Sequence, residues 1–253
     1  MKATKQEADR LRNVLRFIIS NLHDFHDPIP IQEMKIVDQY MLHCLASYYN
    51  TIAKSYDAIY FNKVCIETQN FVANNLSSFY FPVIKDRLYC DEKFSNSRQS
   101  AVSTLFWIGH ILTKSLSPIM PIMAQEIANI SPCLKIDLSE SIDPTIISKW
   151  ENLPLNECFN IVLEIRKILN QCKVEKSDAV LLKNDDKLSI FTEKDLAEIF
   201  QVSYVEVKDN DAEQYYQIKP SQKQLCPRCR LYQANVGEEL CERCETVINI
   251  ESV

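Results

Sequence analysis

TKQEADRLRNVLRFIISNL, residues 4–22, sets Leu11, Val14, Leu15, Ile18, Ile19 and Leu22 at the i, i+3, i+4, i+7 spacing of a single helical face and leaves its charges on the other. A half-buried strand would alternate apolar and polar residues instead. The stripe therefore predicts an amphipathic helix that must bury one side against further helices. The segment HDFHDPIP, residues 23–30, ends it.

Working outward, the same period returns. Val37, Met41, Cys44, Leu45, Tyr48 and Ile52 mark a second long helix, and Phe61, Val64, Cys65, Thr68, Phe71, Val72 and Leu76 a third. After Phe81-Pro82, the run VIKDRLYCDEKFSNSRQS reads as a short helix and a polar loop. A further helix from about Arg98 to Leu116 carries Val102, Leu105, Phe106, Gly109 and Leu112; Ser117-Pro118 and Met120-Pro121 stop it, and Pro121 opens the short helix MAQEIANI. These elements predict an antiparallel helical bundle over residues 1–150, its last part an acidic connector, SPCLKIDLSESIDPT.

Beyond the connector the texture changes. A helix from about Leu155 to Cys172 precedes two short apolar runs, AVLL (179–182) and LSIF (188–191), then the helix EKDLAEIF behind a Thr192 cap, then VSYVEV (202–207). Strands alternating with a helix predict a small α/β module over residues 151–222. The fold class is thus mainly α, a bundle followed by this module and by a cysteine-rich tail over residues 223–253.

Composition limits the chemistry. The 253 residues are 46% hydrophobic and 25% charged, enough to bury a core and too apolar for disorder. Neither a membrane-spanning apolar run nor a signal peptide is visible, so the chain reads as soluble. There are only two glycines, Gly109 and Gly237. Walker A loops and dinucleotide fingerprints need several, because side chains would block the backbone from the phosphates, so nucleotide-dependent catalysis is not expected of this chain alone. The net charge of −6 is uneven: +2 over residues 1–120, −7 over 121–222 and −1 over 223–253. Acidity in the middle argues against a non-specific nucleic-acid binder and leaves room for a local basic surface.

The strongest chemical signal is Cys226-Pro-Arg-Cys229, eleven residues, then Cys241-Glu-Arg-Cys244. Two such knuckles can fold four thiolates onto one tetrahedral Zn²⁺, and a short tail with little apolar content needs a staple of this kind. Two disulfides or a redox pair are the rival readings; zinc is preferred because no secretory signal or thioredoxin context accompanies the motif. Four cysteines leave no open position, so the metal is structural. The other six, Cys44, Cys65, Cys90, Cys133, Cys158 and Cys172, have no ligand spacing and read as inert thiols in a reducing compartment. His23 and His26 read as a polar helix end, and Trp107 and His110, in WIGH, as bundle packing.

Candidate RNA contacts follow from charge beside aromatics. In LSSFYFPVIKDRLY, residues 76–89, Lys85 or Arg87 could face phosphates, with an Asp86–Arg87 pair as the bland alternative. Around the knuckles, Lys223, Arg228, Arg230, Arg243 and Tyr232 offer cations and a stacking surface. No catalytic residue is assigned.

RNVLRFIISNLHDF (12–25), DQYML (38–42), NLSSFYFPVIKDRLYCD (75–91), SPIMPIMAQEI (117–127) and the closing CPRC…CERC resemble, in order, the C-terminal region of the isoleucyl-tRNA synthetases. The resemblance covers essentially the whole chain, and the zinc tail separates it from the valine and leucine types. It implies an anticodon-binding bundle and zinc domain that grip the anticodon stem-loop of tRNA(Ile). The ATP-using catalytic region with its HIGH and KMSKS motifs, and the editing domain, would lie in a partner region, making this chain a fragment or split product that does not activate isoleucine by itself. Two positions depart from the expected pattern. Arg230 stands where bacterial members carry Trp, and Gln39 where they carry Arg. The Lys/Asn/Ile-rich texture suggests an AT-rich genome and a mitochondrial matrix enzyme, with a bacterial cytoplasm as the alternative. The rival from another class is a zinc-stapled protein-interaction adaptor without RNA.

Overall fold

The computed structural model describes residues 2–134, 136–208 and 216–251. They fall into two compact units, Met1–Leu88 with Lys93–Asn152, and Tyr89–Glu92 with Leu153–Val253. No helix among the described residues is long and apolar enough to cross a membrane.

The first unit is built from α1 (Lys2–Ser20), α2 (Ile36–Asp57), α3 (Phe61–Asn70), a π-helical stretch (Phe71–Tyr80), α4 (Phe81–Cys90), α5 (Asn96–Leu116), α6 (Pro121–Ile130) and α7 (Pro144–Ser148). The stripe that opened the reading does what its spacing demands: Leu11, Val14, Leu15, Ile18 and Leu22 are buried. Helix α5, capped by Ser95 Oγ accepting from the Arg98 N–H, is buried on every side through Ala101, Val102, Leu105, Ile108 and Leu112, which makes it the central helix. Gly109 is one reason α1 lies so close to it: a Cβ there would meet Ile18 Cγ2 at 2.9 Å.

The expected break at Phe81-Pro82 does not occur. Asn70, Phe71 and Phe81 all have right-handed helical backbone, so α3, the π stretch and α4 run on as one helix. The wider turns are visible in the side chains, since Ser77 and Ser78 donate from Oγ to the carbonyls of Val72 and Ala73, five residues back, at 2.8 Å each. Pro82 falls where the wide turns give way to α-helix, near the start of α4, where the missing N–H and the ring are accommodated.

A buried carboxylate joins the helices. Asp38, in the first turn of α2 and 0% exposed, accepts from Arg87 NH1 at 2.7 Å and NH2 at 2.9 Å, from the Tyr80 hydroxyl at 2.7 Å, and from Ser100 Oγ. Burial alone would raise its pKa; the Arg87 charge and the three hydrogen-bonding partners hold it below the ordinary carboxylate value. Nearby, Arg98 NH1 lies 3.0 Å from Asp24, whose pKa is lowered too, the Arg98 hydrogen bond and charge outweighing burial.

Two histidines shift in the sense that favours the neutral ring. His43 Nδ1 accepts from the Asn152 N–H at 2.9 Å, and His110 Nδ1 donates to the Leu134 carbonyl at 3.0 Å; burial lowers both pKa values. A group whose pKa falls on folding stabilises fully above its unfolded value and loses that contribution as pH drops. The bundle is therefore expected to weaken first below about pH 6.5, as His43 and His110 take up protons, and more steeply below about pH 4, as Asp38 and Asp24 do. Urea midpoints between pH 3 and 8 check this; a flat profile through pH 4 would contradict the Asp38 and Asp24 shifts.

In the second unit, α8 (Leu153–Gln171) buries Leu155, Phe159, Val162, Ile165 and Leu169. Strands β1 (Asp178–Lys183) and β2 (Tyr204–Lys208) pair in parallel, joined through α9 (Glu193–Phe200), and β3 (Tyr216–Pro220) adds antiparallel to β1, giving the order β2-β1-β3. The Thr192 cap is a full capping box with Asp195. LSIF is not a strand: Asp186–Leu188 is a 3₁₀ turn, and Phe191 sets its ring edge-on to Phe159 with centroids 5.0 Å apart. The tail contributes the short pair β4 (Gln224–Leu225) and β5 (Tyr232–Ala234) and the helix α10 (Glu242–Glu251).

Candidate functional site

Each knuckle is shaped by local backbone. In the first, the Cys226 N–H bonds the Leu231 carbonyl at 2.9 Å, the Arg230 N–H bonds the Cys226 carbonyl at 2.8 Å, and Arg230 takes a left-handed φ of 57° to close the turn. The second sits at the start of α10, with the Glu245 N–H on the Cys241 carbonyl at 3.1 Å. This geometry brings the Sγ atoms of Cys226, Cys229, Cys241 and Cys244 within 4.8 Å of one another, all buried.

The donor set fits a metal ion. Tetrahedral zinc with Zn–S bonds of about 2.3 Å places its sulfurs about 3.8 Å apart, and Cys229 Sγ lies 3.8 Å from Cys241 Sγ. A disulfide needs about 2.05 Å. The Cys241 N–H points at Cys226 Sγ at 3.5 Å, as it would to a thiolate. At Cys226 burial opposes ionisation, but the amides of Cys229, Cys241 and Arg228 bring the thiol down to about 6. At Cys229 and Cys241 burial and neighbouring sulfurs push the thiols up. The cluster could hold one zinc ion, and four sulfurs would leave no position for water or substrate.

The cations are placed unequally. Lys85 and Arg230 are exposed. Arg87, offered by the charge pattern to phosphates, is instead in the core at 2% exposure with both terminal nitrogens on Asp38. That corrects its expected surface position. Arg228 and Arg243 are half-buried and bind the chain itself, Arg228 NH1 reaching the Cys90 carbonyl at 2.6 Å and Arg243 NH1 the Asp91 carboxylate at 2.9 Å. Cys90 returns a contact from Sγ to the Arg228 carbonyl at 3.7 Å. Both knuckle arginines thus clasp residues 90–91, a role the sequence did not suggest. Tyr232 is half-buried, and Lys223 is exposed with Nζ on Asn235 Oδ1. Gln39, at the departed position, donates to the Met34 carbonyl at 2.8 Å. Trp107 packs edge-on to Trp150 at 5.1 Å inside the bundle.

The family described as the anticodon-binding domain of tRNA ligase matches residues 38–184. Across 98% of its length the chain is 32% identical to an isoleucine–tRNA ligase of Staphylococcus haemolyticus, covering 30% of that protein. It is 28% identical, again over 98% of this chain and 30% of the relative, to the mitochondrial isoleucine–tRNA ligase of Macaca fascicularis. For the mitochondrial ligase of Gallus gallus the identity is 30%, over 98% of this chain and 29% of the relative. The chain therefore spans about a third of the length of the curated relatives it matches. Matched by the family over more than half of its residues, the chain belongs to the anticodon-binding domains of the tRNA ligases.

Proposed function

We propose that this chain is the anticodon-reading portion of an isoleucine–tRNA ligase, binding the anticodon stem-loop of tRNA(Ile) while a separate catalytic region charges the acceptor end with isoleucine at the cost of ATP. The observation that carries the reading is the match to isoleucine–tRNA ligases over 98% of the chain, from bundle to tail. One structural zinc on Cys226, Cys229, Cys241 and Cys244 holds the tail in a single conformation. Among the cations offered for RNA contact, Lys85, Lys223 and Arg230 are exposed; Lys223 is engaged by Asn235, and Lys85 and Arg230 take the phosphate-facing role. Arg228 and Arg243 act from beneath, fixing the knuckles that carry Arg230. Arg87 has no RNA role and holds the bundle together. The mitochondrial relatives and the Gly-poor, Asn- and Ile-rich composition support a mitochondrial matrix setting; the bacterial relatives leave a bacterial cytoplasm as the other.

The test is binding of the metal-loaded chain to tRNA(Ile) and to the same tRNA with an exchanged anticodon, over a salt series. The expected result is preference for the native anticodon and an affinity that falls with salt, because phosphate contacts release counterions. Equal affinity for both would remove the anticodon-reading role, and no binding at any salt would favour the protein-interaction adaptor. Arg230→Ala is expected to weaken both complexes by a similar factor and to lower the salt slope by about 1, the signature of a phosphate contact.

A further inference from the structure

Arg228 reaches further than residue 90. The NH1 nitrogen that donates to the Cys90 carbonyl at 2.6 Å also donates to Cys244 Sγ at 3.6 Å, within hydrogen-bonding reach of a sulfur. A terminal guanidinium nitrogen carries two hydrogens, so both bonds stand together. Arg228 belongs to the first knuckle and Cys244 to the second, 16 residues on. The arginine therefore joins both knuckles to the segment Tyr89–Glu92 of the same compact unit. Residue 90 fixes it twice, because the Arg228 carbonyl accepts from Cys90 Sγ at 3.7 Å while the guanidinium holds the Cys90 carbonyl. Cys90 is itself buried against the four cysteines.

Charge gives the sulfur contact its weight. Four thiolates on one doubly charged zinc ion leave the cluster negative, and all four cysteines are buried, away from the water that would screen them. A donor that carries a positive charge makes the stronger kind of hydrogen bond to such a group. Arg243, at the corresponding place in the second knuckle, turns its NH1 to the Asp91 carboxylate at 2.9 Å, whereas Arg228 NH1 faces a neutral carbonyl and a sulfur. We propose that Arg228 is a positioning residue for the metal ion. Its N–H on Cys244 offsets the charge of the four thiolates and slows the loss of zinc, and its hold on Cys90 makes the docking of residues 89–92 depend on the same side chain. The proposal rests on the reading that the four cysteines hold zinc.

The experiment titrates the full chain with zinc against a chromogenic chelator, and maps by mass spectrometry which cysteines of the zinc-loaded chain are alkylated first by N-ethylmaleimide. Arg228→Met, which keeps an extended side chain and removes its charge and donors, is expected to weaken zinc binding about 10–100-fold, the range for losing a group that orients a metal ligand. It should also make Cys244 the first of the four to be alkylated. Arg228→Lys keeps a charged donor and is expected to recover part of both losses. Asp91→Asn, which loosens the clasp and leaves the sulfur contact, should cost at most severalfold, with the four cysteines alkylated evenly. Wild-type affinity in Arg228→Met, equal losses in Arg228→Met and Arg228→Lys, or a loss in Asp91→Asn as large as in Arg228→Met each overturns the positioning role and leaves the four-cysteine site standing. If Arg228→Met takes up no zinc, Arg228→Lys decides alone: zinc regained supports the role, and zinc still absent overturns it. No zinc on the wild-type chain overturns the metal reading as well.

Discussion

A Cys229→Ser chain is expected to hold no stoichiometric metal and to lose the folded state of residues 224–251 while the bundle keeps its own. The apolar content around the cluster is too small to fold unaided: beyond the cysteines it consists of Ala234, with Leu231 and Leu240 packed partly against it and Val247 nearby. Structural zinc in such sites contributes on the order of 10–16 kcal/mol of binding free energy that is at the same time folding free energy, far more than these side chains supply. Metal analysis gives the stoichiometry, and amide hydrogen exchange gives the extent of unfolding. Residues 89–92 should lose protection in step with the tail, because Arg228 and Arg243 reach them from the knuckles. Full metal content and native protection over residues 224–251 in the variant would rule out the four-cysteine site. A strong chelator acting on the wild-type chain should reproduce the variant's exchange pattern.

The second large effect lies in the bundle. Asp38→Ala removes the partner of a guanidinium whose side chain is 3% exposed and leaves the Tyr80 and Ser100 hydroxyls facing an apolar gap. Breaking a buried ion pair from one side costs about 3–5 kcal/mol, because the remaining charge loses its counter-charge without regaining water; Arg87 would keep the Ser97 carbonyl at 3.1 Å, a neutral acceptor, and for a unit of this size the loss lowers Tm by on the order of 10 °C. Arg87→Ala strands the carboxylate instead and should cost a similar amount. The double variant Asp38→Leu with Arg87→Met strands no charge, only the Tyr80 and Ser100 hydroxyls losing their acceptor, and a large part of the loss should return. Thermal melts of the four chains decide it. Wild-type stability in Arg87→Ala together with weakened tRNA binding would restore the RNA-facing role that burial argues against.

Where the sequence was legible, the determining interactions were close along the chain. Helical stripes repeat within a few residues, and the knuckle spacing puts each cysteine pair on its own turn, so the bundle and the four-cysteine cluster could be read directly. Arg87 misled because its neighbour Asp86 offered an adjacent partner, while its actual partner, Asp38, is 49 residues away. Arg228 and Arg243 misled in the same way, their partners lying 138 and 152 residues back. The continuous helix through Pro82 was hidden for another reason. Wide turns shift the apolar phase by a fraction of a residue each, and over ten residues no hydrophobic pattern separates them from α-helix. LSIF illustrates the limit of short apolar runs, since Leu188 and Phe191 are buried from a turn as well as they would be from a strand. Strand β3 escaped because Tyr-Gln-Ile-Lys-Pro alternates only weakly and ends on a proline, as edge strands are free to do.

The clasp between the knuckles and residues 90–91 also sets an order in time. Asp91 leaves the ribosome 152 residues before Arg243, a delay of about 8–30 s at ordinary elongation rates of about 5–20 residues per second. Through that interval the segment Tyr89–Glu92 has been made but its partners in the knuckles have not, so it waits undocked until they follow.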